Sequence, residues 1–297
     1  MRGIITADWH IRATRPRCRT DDDWMGTQRK ALNQIVEIAK EKKCNVYCDG
    51  DIYHSNHDTS FECISMVQKF SDDLHSLNLS LGLLAGNHDL LYHSSANISK
   101  SAIGILLESY NISTIVNVID DEKRNDISAS NFDESDNLNA KFVFKHILCF
   151  PDVKSMPPNV DAITAKELLD EFPNAEWIFT GDYHHNFHYE KNGRHVVNPG
   201  CLLRQASDFK DYQCGVYYVD TEKNIVEFIP IMDSGEFVDD SYILKQEERE
   251  NRIESFVDKL KNTKNISLDF VDNVHKAIIA NKLDENMVRI IEELLEV

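Results

Sequence analysis

Four short segments concentrate the side chains that can hold a cation or move a proton: Asp8-Trp9-His10, Gly50-Asp51, Gly86-Asn87-His88-Asp89 and Gly181-Asp182-Tyr183-His184. Their donors are carboxylate, imidazole and amide, with no thiolate among them. That mix suits Mn²⁺, Fe²⁺, Mg²⁺ or Zn²⁺ in an open site rather than a closed structural zinc. A carboxylate such as Asp51 can bridge two cations, one per oxygen. Two cations roughly 3.5–4 Å apart can clamp a phosphoryl group and generate a hydroxide nucleophile. Taken singly, Asp8-Trp9-His10 and Gly50-Asp51 are no more than strand ends or turns. Taken in order, each behind an apolar run, they point to one site.

The elements behind them explain why. Residues 3–7, 44–48 and 79–85 read as buried strands, and 24–42 and 61–77 as helices, with Leu32, Ile35, Val36 and Ala39 and then Ile64, Val67, Phe70 and Leu74 at helical spacing. This is a βαβ pattern, so the fold class is α/β, and ligands of such sheets gather at the carboxyl ends of the strands. Residues 120–139 are polar, acidic and aperiodic, and read as a surface loop. Residues 142–150 read as one apolar strand and 162–172 as a helix. Residues 177–180, 195–197, 216–220 and 225–229 read as strands, with tight polar turns such as Lys191-Asn192-Gly193 that favour antiparallel pairing.

Composition shifts near Gly235, which places a boundary between residues 1–235 and a charged helical extension, 236–297. There Ile253, Phe256, Val257 and Leu260, then Phe270, Val274 and Ile278 with Ser267 as N-cap, then Val288, Ile291, Leu294 and Leu295 form three apolar stripes. The seven cysteines are odd in number and scattered, which fits reduced, buried thiols. Cys44 and Cys48 have no second pair with which to make a zinc site. No apolar run is long enough for a membrane span and the N-terminus does not read as a signal peptide, so a cytoplasmic protein is expected. The net charge of −18 opposes unaided binding of nucleic acid. A phosphate-bearing ligand must be held by cations, by a local basic patch or by a partner. Arg12, Arg15, Arg17 and Arg19 form such a patch just after the first motif, with solvated loop residues as the plain alternative.

The ordered set resembles the calcineurin-like metallophosphoesterases, whose pattern is D-x-H, G-D, G-N-H-[DE], a lone His and G-H-x-H. The resemblance covers about residues 1–230 and implies an α/β/β/α sandwich of two sheets flanked by helices. It implies a first metal held by Asp8, His10, Asp51 and His184, and a second held by Asp51, Asn87, His146 and Asp182. By residue type alone, His146 inside an apolar strand reads as core, and only the resemblance makes it a ligand. The resemblance also implies that His88 faces the phosphate, with Asp89 orienting its ring. Asp182 stands where the family has His, which tilts preference toward Mn²⁺ or Mg²⁺. His185 could replace it only with a shift of one residue in the loop.

Gly50-Asp51-Ile52-Tyr53-His54 resembles the G-D-[LI]-[FY]-H of SbcD-type DNA nucleases, and Asn198-Pro199-Gly200-Cys201-Leu202-Leu203-Arg204 is similar to their P-G-S-x-x-R segment. The match is closest to phage-encoded versions, the small subunits of recombination endonucleases, which would act in a host cytoplasm. This implies a Mn²⁺-dependent exo- and endonuclease for DNA repair or recombination. It also implies a coiled-coil ATPase partner of the SbcC type docked by the C-terminal helices, and a homodimer formed by the early helices. Substrate contacts would come from His54, Arg15, Arg17 and Arg204. Two alternatives stand beside it: a small-molecule phosphodiesterase or nucleotidase, and a non-enzymatic metal-binding scaffold.

Overall fold

The apolar run behind Asp8 forms strand β1, Arg2–Thr6, buried from Gly3 onward. A computed structural model describes residues 1–56, 59–108, 111–119, 126–232, 237–239, 241, 252–253 and 270–295. Helix α1, Trp24–Lys42, starts where Asp23 accepts the Gly26 N–H and ends at Lys43 in the left-handed region, a cap worth about 1 kcal/mol. It leads to β2, Asn45–Asp49, then α2, Phe61–Ser76, and β3, Leu81–Leu84. Short pieces follow: α3, Ala102–Leu107, β4, Ile112–Thr114, and α4, Ile115–Val118.

The second half contributes β5, Ile127–Ser130, β6, Phe142–His146, β7, Cys149–Phe150, and β8, Ile163–Thr164. Helix α5, Ala165–Glu171, carries a full capping box between Thr164 and Glu167. Strands β9, Trp177–Gly181, β10, Phe187–Lys191, β11, Arg194–Asn198, β12, Gly215–Asp220, and β13, Ile225–Pro230, complete two sheets. One has the order β13-β12-β1-β2-β3-β4 and the other β10-β11-β9-β6-β5.

The sheets face each other across Ile5, Tyr47, Leu84, Phe144, Phe179, Val197 and Tyr217. Each such buried side chain contributes roughly 1.5–3 kcal/mol by leaving water. Helices α1 and α2 cover the outer face of the first sheet through Leu32, Ile35, Val67 and Phe70, and α5 covers the second through Leu168 and Leu169. The layers are therefore α/β/β/α. Strands β1, β2 and β3 run parallel, as do β6 and β9, so each sheet brings carboxyl ends to one rim.

Three expectations are corrected. The stretch read as loop contains β5, whose Ser128 and Ser130 hydroxyls bond Asn137 N and Ser135 O and so let polar residues be buried. The strand read over 142–150 breaks after His146. The helix read over 162–172 begins only at Ala165, behind the two-residue strand β8.

The chain separates into two compact units, Met1–Asp239 and Asp240–Val297. In the second, α6, Phe270–Asn281, buries Val274, and α7, Glu285–Leu295, starts where Asp284 Oδ1 accepts two N–H groups. Most of the stripe from Ile253 to Leu260, and Ser267, lie outside the described residues. No described helix is long and apolar enough to cross a membrane.

Candidate metal centre

The first two motifs are laced together beyond the ends of their strands. Asp8 N–H donates to Gly50 O at 3.0 Å, His10 N–H to Asp51 O at 3.0 Å and Ile11 N–H to Ile52 O at 2.8 Å. Trp9, between the two donors, is driven into the core, where its Nε1 bonds Thr6 and its ring meets Phe70. Asp8, His10, Asp51 and Asp182 all sit in the left-handed region, at φ 49, 46, 54 and 75°. That conformation is uncommon for residues other than glycine, though Asp and His tolerate it, and it persists only where the surroundings impose it.

The glycines of the motifs have steric reasons. Gly50 has φ 95°, and a Cβ there would lie 2.3 Å from His146 Nδ1. A Cβ on Gly86 would lie 2.2 Å from Asp51 Oδ1. Backbone is thus packed directly against the donors, which only glycine allows.

Two poles result. At the first, His10 Nε2 and His184 Nε2 are 3.1 Å apart and Asp51 Oδ2 is 3.7 Å from His10 Nε2. Asp8, His10 and His184 each offer a ligand atom within 4.8 Å of the others. Asp8 Oδ1 accepts the Asp182 N–H at 3.0 Å, while Oδ2 is buried with no hydrogen-bond partner. At the second pole His146 Nε2 lies 3.1 Å from Asn87 Oδ1 and 3.4 Å from Asp51 Oδ2, and Asp8, Asp51 and His146 again converge within 4.8 Å. His146 Nδ1 donates to Asp49 O at 2.7 Å, which fixes the ring.

Charge at the two poles differs. Burial pushes the Asp8 carboxyl up to about 6, partly offset by His184 and His146. Burial holds His10 well below the usual imidazole range. Burial also opposes the ionisation of Asp51, but His146, His10 and His88 draw its carboxyl below the usual carboxylate range. Despite burial, Asp51, Asp8 and Asp182 push His146 well up. A carboxylate oxygen orphaned in the protein interior, ringed by imidazoles, fits a cation and fits little else. The donor set would therefore hold one cation at Asp8, His10, Asp51 and His184, and a second at Asp51, Asn87 and His146. Asp182 lies near enough to act on His146, but its carboxylate belongs to none of the three clusters of ligand atoms.

Two assignments need correction. The ring of His88 is oriented by the His54 carbonyl, 2.8 Å from its Nδ1. Asp89 instead accepts the N–H groups of Ile52, Tyr53 and Gly86 at 3.2, 2.9 and 3.1 Å, so it ties the second motif to the third. Burial and Asp51 raise it to about 7. Arg204, expected to touch substrate, is 6% exposed and donates from Nε to Tyr212 O at 2.6 Å. It braces a loop instead of presenting charge.

Of the other arginines, Arg19 is 1% exposed, paired in two bonds of 2.7 Å with Asp21 and seated on Trp24. Arg15 and Arg17 are exposed, and Arg15 bonds Asp21 O. Arg12 is the member of the patch whose charge reaches the site, where it acts on His54. His54 itself joins His10 and His88, with nitrogens within 4.8 Å. His185 points its ring at Phe209 and Tyr212, not into the poles.

Two residues escaped the sequence reading. Asp49 is 0% exposed with neither carboxylate oxygen hydrogen-bonded, and burial pushes it well up. Its carbonyl holds His146. Asn198 donates from Nδ2 to the carbonyls of Tyr183 at 2.6 Å and His185 at 2.8 Å, on both sides of His184. Its position in the Asn-Pro-Gly segment was the available signal.

Comparisons with known proteins bear on this site. A novel archaeal phosphodiesterase shares 18% identity over 77% of this chain and 99% of its own, with a TM-score of 0.39. A dimetal phosphatase from Danio rerio shares 11% over 78% and 99%, at 0.42. A putative 5′-nucleotidase from Staphylococcus aureus shares 15% over 84% and 58%, at 0.44. Likenesses this distant do not choose among phosphoester substrates. No curated protein matches the chain. The family model for calcineurin-like phosphoesterases matches residues 1–209, most of the chain and every residue of both poles. The chain belongs to the calcineurin-like phosphoesterases, a family that binds two divalent metals and hydrolyses phosphoesters.

Proposed function

We propose that the chain is a Mn²⁺-dependent DNA nuclease subunit that hydrolyses phosphodiester bonds. The observation that carries this reading is the position of His54. Its motif, Gly50 to His54, resembles that of the SbcD-type nucleases, and its ring stands at the corner shared with His10 and His88. Cations held by Asp8, His10, Asp51 and His184 and by Asp51, Asn87 and His146 would supply Lewis-acid polarisation of the phosphoryl oxygens and activation of the attacking water. The chain's own groups do the rest. His88, with Nδ1 committed to the His54 carbonyl, keeps Nε2 for the leaving 3′ oxygen. Burial, with Arg12 and His88 adding to it, lowers His54 to about 4, so it meets the substrate as a neutral imidazole. Arg12 contacts the neighbouring phosphate.

A coiled-coil ATPase partner docked on the C-terminal helices, and a homodimer through α1 and α2, belong to the same proposal. The ATPase would supply the basic surface that a chain of net charge −18 lacks. That same charge favours the second reading, a phosphodiesterase or nucleotidase for small substrates, which needs no extended basic groove.

The test is incubation with Mn²⁺ and linear duplex or single-stranded DNA beside Asp51→Ala and His88→Ala. Degradation by the unmodified protein that both variants lose supports the nuclease. Intact DNA beside turnover of a small chromogenic phosphodiester sinks it in favour of the second reading.

A further inference from the structure

The residues on either side of the ligand His184 turn their rings away from the poles and into a line of aromatic contacts. Phe150 meets Tyr183 at 4.5 Å between centroids, Tyr183 meets His185 at 5.4 Å, His185 meets Phe209 at 4.6 Å and Phe209 meets Tyr212 at 5.0 Å. The line adjoins the metal centre, since the Phe209 ring is also 6.2 Å from that of His184. Phe150 and Phe209 are buried, whereas Tyr183 is half-buried and His185 exposed. Two closed rings thus back two open ones.

The backbone under the open rings is fixed from below. Asn198 Nδ2 donates to the Tyr183 and His185 carbonyls, and Cys201 N–H donates to the His184 carbonyl at 2.9 Å. The Tyr212 hydroxyl accepts from Asn186 N and Nδ2 at 2.6 and 2.7 Å. Rings held this way lose little further freedom when something stacks on them.

Phosphoryl transfer itself has no use for an aromatic surface. A nucleobase does, because every base has a π-face and stacks on aromatic rings with little regard to sequence. Stacking is also indifferent to the net charge of −18, which weakens any contact made through phosphate alone. We propose that Tyr183 and His185 form a stacking shelf that binds the base of the nucleotide whose phosphate lies at the metal centre. This deepens the phosphodiesterase reading above and rests on it. It assigns the substrate class as a base-bearing phosphodiester, whether strand or small nucleotide ester.

The experiment compares two chromogenic diesters that share a p-nitrophenyl phosphate and differ in the other group, thymidine 5′ in one and methyl in the other. Both are assayed with the Mn²⁺-loaded full chain and with Tyr183→Ala, His185→Ala and Tyr183→Phe, after elemental analysis confirms equal metal content. The thymidine ester is expected to be preferred in kcat/KM by roughly tenfold or more, as stacking on one or two rings provides, mainly through KM. Each alanine variant should pull the ratio toward one, and Tyr183→Phe should keep it. A ratio near one in the unmodified protein, or one that survives both alanine variants, overturns the shelf. Degradation of DNA is read in parallel. Intact DNA with the thymidine preference preserved removes the nuclease reading and leaves the shelf standing.

Discussion

The two poles of the metal centre solve the same problem in opposite ways. Around His146 the protein has done the orienting: Nδ1 is tied to the Asp49 carbonyl, Asp51 Oδ1 accepts the His88 N–H at 3.0 Å, and glycine backbone packs against both. Despite burial, the Asp51 carboxylate 3.4 Å away, with Asp8 and Asp182, favours the protonated form of His146. Around His10 the reverse holds. Its Nδ1 and Asp8 Oδ2 are buried without hydrogen-bond partners, and its imidazole is held neutral by burial. That pole therefore carries two donor atoms, His10 Nδ1 and Asp8 Oδ2, that no protein hydrogen bond orients. A cation competes with protonation of His146 at one pole and finds unpartnered donor atoms at the other.

Asp51 serves both poles, so its loss is the largest effect expected. Asp51→Ala should lower kcat/KM on any phosphodiester on the order of 10³-fold, the several kcal/mol that two-metal charge stabilisation provides. Elemental analysis of the purified variant should show both cations lost. Retention of two full equivalents would contradict the bridging role.

A sharper probe of the contrast empties one pole at a time. His184→Ala leaves the His146 pole, and Asn87→Ala leaves the His10 pole. Each should weaken cation binding at the altered pole by at least tenfold, with calorimetry of Mn²⁺ binding as the measurement. The proton count separates them. At pH 7.5 the His146 pole should release the larger number of protons per cation, because neighbouring carboxylates raise His146 above its ordinary value of 6.5 and it binds metal only when neutral. The His10 pole should release fewer at that pH, since the Asp8 carboxyl, at about 6, is already ionised and burial keeps His10 neutral. Below pH 6 the affinity of that pole should fall as Asp8 takes up its proton. Equal proton release from the two variants at pH 7.5 would break the comparison.

The ordered motifs and the apolar runs before them were enough to place Asp8, His10, Asp51 and Asn87 at one rim, because a strand's carboxyl end is a local fact. His146 was not legible this way. It also stands at a strand end, but the residues after it, Ile147 to Phe150, continue the apolar run and hide the break. The role of Asp89 is not legible in the sequence because its partners are backbone N–H groups, two of them from the turn at Ile52 and Tyr53, and backbone partners leave no trace in residue type. By residue type Arg19 and Arg204 suggest surface charge, yet both are buried. Their burial depends on Asp21, Trp24 and the Tyr212 carbonyl, contacts that only the folded loop creates.

Asp182 carries the smallest of these expected effects and the finest distinction. Its N–H, which any residue would supply, donates to Asp8 at 3.0 Å, and its backbone at φ 75° is one that His also tolerates. Asp182→His should therefore fold normally and change turnover at saturating Mn²⁺ only a few-fold. What should move is metal preference. The family pattern makes position 182 a donor to the second cation, although its carboxylate lies outside the clusters of ligand atoms. Where a bound cation draws it in, an imidazole in its place exchanges a hard oxygen donor for a borderline nitrogen, and Zn²⁺ should gain on Mn²⁺ by roughly tenfold in competition binding. The shift should appear in the His184→Ala background, where only that pole fills. An unchanged preference there would mean that the Asp182 carboxylate is no ligand and that Asp51, Asn87 and His146 hold the second cation without it. The chain would then differ from its family by a missing donor and not by a substituted one.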